Sequence, residues 1–196
     1  MVVAHRNASE AFARLLELEP TVGHLWHNQP LVLPGLLQTE EYATALIAAL
    51  GGLRPGDPEL IDRVGLRLRR GAAFLARLRG ADPPSFTVVI DEAVLVRGVL
   101  PAEAMARQLD HLREVAELPT VRLGIVPLAA GAHATQTGSF EVYDDRAVFV
   151  ESAEGDRLLT DLGTVRRCQQ LVEAALASAA TGPEALALLR GAARAG

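Results

Sequence analysis

The sequence predicts an α+β fold: a single domain in which a mainly antiparallel sheet of about four strands packs with several helices. Three observations predict it. Apolar residues recur at helical spacing in long segments towards both ends of the chain, four short β-branched or aromatic runs lie between residues 86 and 151, and no linker, repeat or low-complexity tract divides the 196 residues. A chain of this length with 49% hydrophobic residues and a net charge of -5 has ample core for one domain, spanning 1–196, and is neither disordered nor a nucleic-acid coat.

The elements follow in order. Residues 8–19 have helical spacing, with Phe12, Leu15, Leu16 and Glu19 recurring until Pro20 stops them. Residues 22–37 read as irregular, being rich in His, Asn, Pro and Gly. Residues 38–50 form a helix, with Thr39 as N-cap and Glu40 and Glu41 at its positive end. Residues 59–79 form the clearest amphipathic helix. It has Ile61, Val64, Leu68, Ala72, Leu75 and Leu78 on one side and Arg63, Arg67, Arg70 and Arg77 on another.

Phe86–Ile90 is a short strand followed by a helical turn at Asp91-Glu92-Ala93. Pro101–Glu117 is a helix, with proline suited to its first turn. Thr120–Val126 is a strand between prolines, and 140–143 with 147–151 form a hairpin around Asp144-Asp145-Arg146. Asp161–Ala179 and Pro183–Ala193 are the closing helices. Their Leu171, Ala175, Leu186 and Leu189 are a candidate apolar stripe for a homodimer.

Composition removes several chemistries. All 19 basic residues are arginine, so Schiff-base catalysis and P-loop phosphate binding are excluded. The single cysteine, Cys168, excludes a disulfide framework and a cysteine-cluster zinc site, and points to a reducing, cytoplasmic setting. Cys168 lies in a helix beside Arg166 and Arg167 and reads as a packing residue. His24 and His27 lie three apart in the segment read as a loop, with Glu17, Glu19 and His5 nearby. No third fixed ligand accompanies them, so no metal is expected. No cofactor motif is present, and no apolar run reaches the ~18 residues of a membrane span. No helix-turn-helix pair appears, and the negative charge opposes DNA, so no direct nucleic-acid binding by this chain is expected.

Two constellations remain. The arginine stripe of 59–79 reads either as a solvated face paired with glutamates or as a site for an anionic ligand or partner. Glu92 follows the strand 86–90 and Glu151 ends the strand 147–151. In one sheet their carboxylates could share a cleft with His133, the minimum kit for proton transfer, or form a buried network with Arg67 or Arg97.

The run Leu31-Val32-Leu33-Pro34-Gly35-Leu36-Leu37-Gln38-Thr39-Glu40-Glu41-Tyr42-Ala43 resembles the "VPGLLQT-x-x-YA" motif of a known family. In order, Arg67-Leu68-Arg69-Arg70 resembles "aRxxRQ", Val89 to Leu95 resembles "vldEaaL", and Met105 with Gln108, Leu109 and Leu112 resembles "mxxQLxxL". Val121 to Pro127 with Gly131-Ala132-His133, then Gly138-Ser139-Phe140 and Val148 to Glu151, complete the series. Over about residues 10–192 the chain is similar to the domain C-terminal to an XRE-type helix-turn-helix in actinobacterial, especially Streptomyces, regulators, often labelled antitoxin-like. Gly71 stands where that family usually has Gln, and the match begins at the sensor half, without the DNA-binding half.

The resemblance implies a non-catalytic module that binds a small molecule or a small partner protein. The ligand- or partner-binding residues would be Gln38, Arg67, Arg70, Glu92, Gln108, His133 and Glu151. The competing expectation is a homologue recruited as an enzyme, performing acid–base or cyclisation-type chemistry in a natural-product pathway with Glu92, Glu151 and His133.

Overall fold

The computed structural model describes residues 9–152 and 154–195. Ala8, where the first helix is predicted to start, and His5 lie outside them. Among the described residues there are seven α-helices and seven strands: α1 (Glu10–Leu18), β1 (His24–Gln29), α2 (Glu40–Gly51), α3 (Pro58–Leu78), β2 (Ser85–Asp91), α4 (Ala93–Val96), α5 (Ala102–Ala116), β3 (Val121–Val126), β4 (Phe140–Tyr143), β5 (Ala147–Val150), β6 (Arg157–Leu159), α6 (Leu162–Leu176), β7 (Ala180–Thr181) and α7 (Gly182–Ala195). A 3-10 turn at Gly35–Leu37 precedes α2.

The N-cap predicted at Thr39 is in place, and Asp161 caps α6 in the same way. Thr39 accepts from the Tyr42 N–H at 3.4 Å, and Asp161 accepts from Thr164 at 2.8 Å. Gly52 ends α2 in the left-handed region, at φ 62°, where a Cβ would be strained.

The sheet is larger than expected and mixed rather than mainly antiparallel. Its order is β6-β5-β4-β1-β2-β3-β7. β1, β2 and β3 run parallel, while β4 pairs antiparallel to β1, β5 to β4, β6 to β5 and β7 to β3. The crossovers β1-α2-α3-β2 and β2-α4-α5-β3 are what parallel pairing requires.

The largest correction is β1, which lies in the segment read as irregular and is the fourth strand of seven. A strand flanked on both edges normally reads as an apolar run. This one carries His24, His27, Asn28 and Gln29, and two of them, His24 and Asn28, have dedicated partners. Asn28 Nδ2 donates to the carbonyls of Thr135 (3.0 Å) and Gly138 (2.6 Å), and His24 Nε2 lies 2.9 Å from Thr87 Oγ1 while its ring stacks on Trp26. Asp144, the turn residue of the β4-β5 hairpin at φ 53°, accepts from the Gly23 and His24 N–H groups and ties that turn to the start of β1.

Side-chain alternation gives the sheet two different faces. Leu25, Phe86, Val88, Ile90, Leu123, Ile125, Tyr143 and Phe149 pack with Leu15, Tyr42, Phe74, Val94, Leu109, Ala185 and Leu189 from α1, α2, α3, α4, α5 and α7. On the opposite face Val89, Val126, Phe140, Val142 and Val148 pack with Val165, Val172, Ala175 and Leu176 of α6. The candidate dimer stripe is therefore used inside the chain: Ala175 belongs to one core and Leu189 to the other, on opposite sides of the sheet.

α3 departs from expectation in a way that decides the site. Its buried residues are Leu60, Val64, Gly71, Phe74 and Leu78, a run of three- and four-residue steps that passes through Arg67. Ile61, assigned to the apolar side, is exposed. The arginine stripe is not a solvated face: Arg67, Arg70 and Arg77 point inward and bond to other elements. Gly71 permits the close approach, because a Cβ there would meet the Leu36 carbonyl oxygen at 2.9 Å.

Gly71→Ala should therefore cost about 1–3 kcal/mol in urea unfolding, as overpacking against rigid backbone does. Gly65→Ala meets only the mobile end of Arg69, and should be neutral or stabilising by up to ~1 kcal/mol. Equal effects of the two substitutions would refute the close-approach account.

Candidate functional site

The candidate site lies on the α3 face, where the carboxyl ends of β1 and β5 meet the start of β4. Gln29, Val32, Leu33, Gly35, Leu36, Gln38, Arg67, Arg70, Glu141, Phe149 and Glu151 line a cavity of about 20 Å³ there, room for one or two water-sized groups. β-strands and the 32–38 segment form its walls, and α3 lays Arg67 and Arg70 across it.

The 32–38 segment is buried, so its backbone polar groups need partners. Gln38 Nε2 donates to the Leu33 carbonyl at 2.7 Å, and the Leu33 N–H donates to Tyr42 Oη at 3.3 Å. Gln108, fully buried on α5, donates from Nε2 to the Leu37 carbonyl at 2.8 Å and accepts from the Thr39 N–H at 2.7 Å. The polar residues of the "VPGLLQT" motif and of "mxxQLxxL" thus hold one buried loop in shape. Gly35 lies against the Arg67 guanidinium, where a Cβ would stand 3.5 Å from Cζ in ordinary contact.

The charges are unevenly matched. Arg70 binds the Glu19 carboxylate with both Nε and Nη2, down to 2.6 Å, and stacks over the Phe12 ring. Arg77 donates to the Glu19 and Val22 carbonyls at 2.8 and 2.6 Å, so α3 is fixed to the segment that leads into β1. Arg67 makes one hydrogen bond, from Nη1 to Gln38 Oε1 at 2.9 Å, and no ion pair. Burial pulls its pKa down, opposed by the charge of Glu151.

On the strand side, Glu141 accepts from the Tyr143 hydroxyl and lies 3.7 Å from His27 Nε2. Burial pushes the Glu141 carboxyl up, but His27, Arg70, Tyr143 and Arg67 outweigh it and hold the group below its ordinary value. His27 is wholly buried, edge-on to Phe86, and burial lowers its pKa; neither ring nitrogen has a hydrogen-bond partner. Glu151 is the odd group. Burial raises it to about 7, more than the Arg67 charge lowers it.

Of the sequence-selected residues, the structure brings Gln38, Arg67, Arg70 and Glu151 to this cavity and sets Gln108 behind its loop. Glu92 and His133 are elsewhere. His133 Nε2 lies 3.0 Å from Asp91 Oδ2, with Nδ1 against Thr135 Oγ1, on the α6 face; Glu92 Oε2 accepts from the Leu128 N–H at 2.8 Å. β5 and β2 are three strands apart in the sheet order, roughly 14 Å, and Glu151 and His133 are on opposite faces. The expected Glu92–Glu151–His133 cleft is therefore not formed, and Arg97 is exposed with none of these carboxylates as a partner. His133 and Asp91 instead fasten the 131–138 loop to the sheet.

The sequence singles out neither Glu141 nor Tyr143, and it offers His27 and Glu19 only as members of a possible metal cluster. His24 and His27 point to opposite faces of β1 and cannot share an ion, and no metal-binding group of three or more side chains occurs among the described residues. Cys168 is half-buried against the α6 core, and burial raises its thiol pKa.

Two outcomes check this geometry. The native state holds a proton on Glu151 up to about pH 7 that the unfolded chain releases near its ordinary value. Stability from this group therefore falls as pH rises through that window. Glu151→Gln should remove that slope in urea titrations from pH 4 to 8, match wild type near pH 4 and exceed it at pH 8. Gln108→Leu, which strands the Leu37 carbonyl and the Thr39 N–H, should destabilise by at least ~2 kcal/mol; a neutral result would show that the loop repacks.

No helix among the described residues is long and apolar enough to cross a membrane. No curated protein and no solved structure matches the chain. The model of one family, described as a domain of unknown function (DUF5753), matches residues 12–191. The cavity and all of its lining residues fall inside that span, and the chain belongs to the DUF5753 family.

Proposed function

We propose that this chain is a non-catalytic binding module that takes a small ligand in the Arg67–Glu151 cavity, as the sensor half of a helix-turn-helix regulator would. The observation that carries this reading is Arg67: a buried guanidinium that makes one hydrogen bond and no ion pair, beside open space. A guanidinium has five N–H donors, and leaving a buried charge unmatched is costly. A ligand supplying acceptors there would repay that cost, which gives binding energy without any new arrangement of the fold. The cavity also sits beside the carboxyl end of β1, at the border between the parallel β1-β2-β3 half of the sheet and the antiparallel β4-β5-β6 half. The XRE-type resemblance of the 31–43, 67–70 and 105–112 motifs supports the same reading, since those motifs build this loop and its arginine helix.

The enzyme reading keeps one specific observation, Glu151, whose pKa of about 7 suits a general acid or base. Without Glu92 and His133 beside it, that carboxyl has no second titratable partner of the expected kit, and binding is the simpler function for it.

A thermal-shift screen of small polar metabolites, repeated on Arg67→Met, tests the module. Hits that raise the wild-type midpoint, lose their effect in Arg67→Met and are recovered unchanged by mass spectrometry are the expected result. Hits indifferent to Arg67 would remove the cavity from the account, and conversion of a hit would favour the enzyme.

A further inference from the structure

We propose that residues 127–139 form a latched strap, which opens about Gly131 and Gly138 while the sheet stays folded and uncovers Asn28 and Asp91. The His133–Asp91 hydrogen bond is its latch. The strap lies on the α6 face, across the sheet from the Arg67 cavity, and it stands or falls independently of the ligand reading above.

The sheet order requires a crossing here. β3 ends at Val126 beside Asp91 of β2, and β4 begins at Phe140 beside Asn28 of β1. Since β4 lies beyond β1, the chain must cross the carboxyl ends of β2 and β1 on the way. Its attachments follow in that order. The Leu128 N–H donates to Glu92 Oε2 at 2.8 Å, and His133 Nε2 lies 3.0 Å from Asp91 Oδ2. Asn28 Nδ2 then donates to the Thr135 and Gly138 carbonyls at 3.0 and 2.6 Å. Thr135 Oγ1 bonds to His133 Nδ1 and so orients the ring towards Asp91.

Three observations make this segment one that opens. Polar contacts hold it rather than apolar burial: Ala134 packs against the α6 core, whereas Leu128, Ala129, Ala130 and Ala132 are exposed. A segment with so few apolar contacts opens at lower free energy than the core beneath it. Glycine stands at both ends of the latched stretch, Gly131 at φ 68° and Gly138 at φ 130°. A Cβ at either would meet nothing within 4 Å, so glycine serves the backbone conformation there and not the space. Finally, Asn28 Oδ1 and Ser139 Oγ are buried without a hydrogen-bond partner. Opening admits water to both, which offsets part of what the closed contacts contribute. Once open, the ends of two neighbouring strands present a carboxamide and a carboxyl group that the closed strap covers.

The experiment is native-state hydrogen exchange of the full chain, followed by nuclear magnetic resonance at urea concentrations below the unfolding transition. The Asn28 Nδ2 protons report the strap, and the backbone amides of Val88 and Val89 report the sheet. In the wild type, exchange at Asn28 should be nearly independent of urea, whereas Val88 and Val89 should exchange faster as urea rises, because only their opening exposes much surface. His133→Ala should speed exchange at Asn28 about tenfold, the effect of one lost side-chain hydrogen bond, and leave it independent of urea. Leu189→Ala, a core truncation on the other face of the sheet, should speed Val88 and Val89 and leave Asn28 unchanged.

A shared urea dependence at Asn28, Val88 and Val89 would overturn the proposal, since the strap would then open only with the sheet. So would a Leu189→Ala variant that speeds all three alike, or a His133→Ala variant that leaves Asn28 at its wild-type rate. If His133→Ala fails to fold, Asp91→Asn takes its place: it keeps the Oδ1 acceptor for the Ala93 N–H and weakens only the latch.

Discussion

Helix α3 places guanidinium groups where a core helix ordinarily places leucine, and two of them, Arg70 and Arg77, are satisfied by other segments of the chain. That constraint organises the open end of the sheet. Arg70 requires a carboxylate, and Glu19 supplies it from the turn that follows α1. Arg77 requires carbonyls, and the Glu19–Val22 backbone supplies them on its way into β1. The path of the chain into the sheet is thus fixed by the acceptors that α3 demands. Gly71 then lets α3 close on the 32–38 segment by admitting the Leu36 carbonyl.

The two faces of the sheet divide the labour. The α6 face is mostly apolar, and its polar groups, Asn28, Asp91, His133 and Thr135, bond among themselves to hold the 131–138 loop. The α3 face carries Arg67, Arg70, Glu141 and Glu151, and a cavity adjoins them there. Strand alternation enforces the separation. Glu151 and Glu141 share a face with His27 and Phe149, while Asn28 and Asp91 belong to the other, so no shift short of a register slip could unite Glu151 with His133.

Much of this was legible in the sequence, and the gaps have physical causes. Helices announced themselves by their period, helped by the cap at Thr39 and the leading proline at Pro101. β6 and β7, of three and two residues, are too short to show a period. β1 was invisible because its stabilisation comes from neighbours rather than composition: Asn28 is bonded to residues more than a hundred positions away. The motifs located Gln38, Arg67, Arg70, Gln108 and Glu151, but could not say which side of α3 faced inward, since arginines stepping by three or four residues read as a solvated stripe. Glu141 and Tyr143 went unnoticed for a related reason. In Phe140-Glu141-Val142-Tyr143 both alternating sets contain an aromatic residue, so period two alone does not reveal which set is the inner one.

The pairings around the cavity are not evidence of stability in themselves, because a buried ion pair returns little more than its desolvation cost. Arg70–Glu19 and Glu141–Tyr143 at least settle their own charges. Arg67 and Glu151 do not settle each other: they adjoin the same cavity, opposite in sign, yet form no ion pair, and Glu151 avoids its charge by keeping a proton up to about pH 7. A leucine at 67 and a valine at 151 would extend the apolar stripe of α3 and the strand pattern of β5 without that penalty. Local rules broken together, at one place, with space left between the offending groups, are where a fold carries function rather than mere shape. In this chain that place lies between α3 and the end of β5.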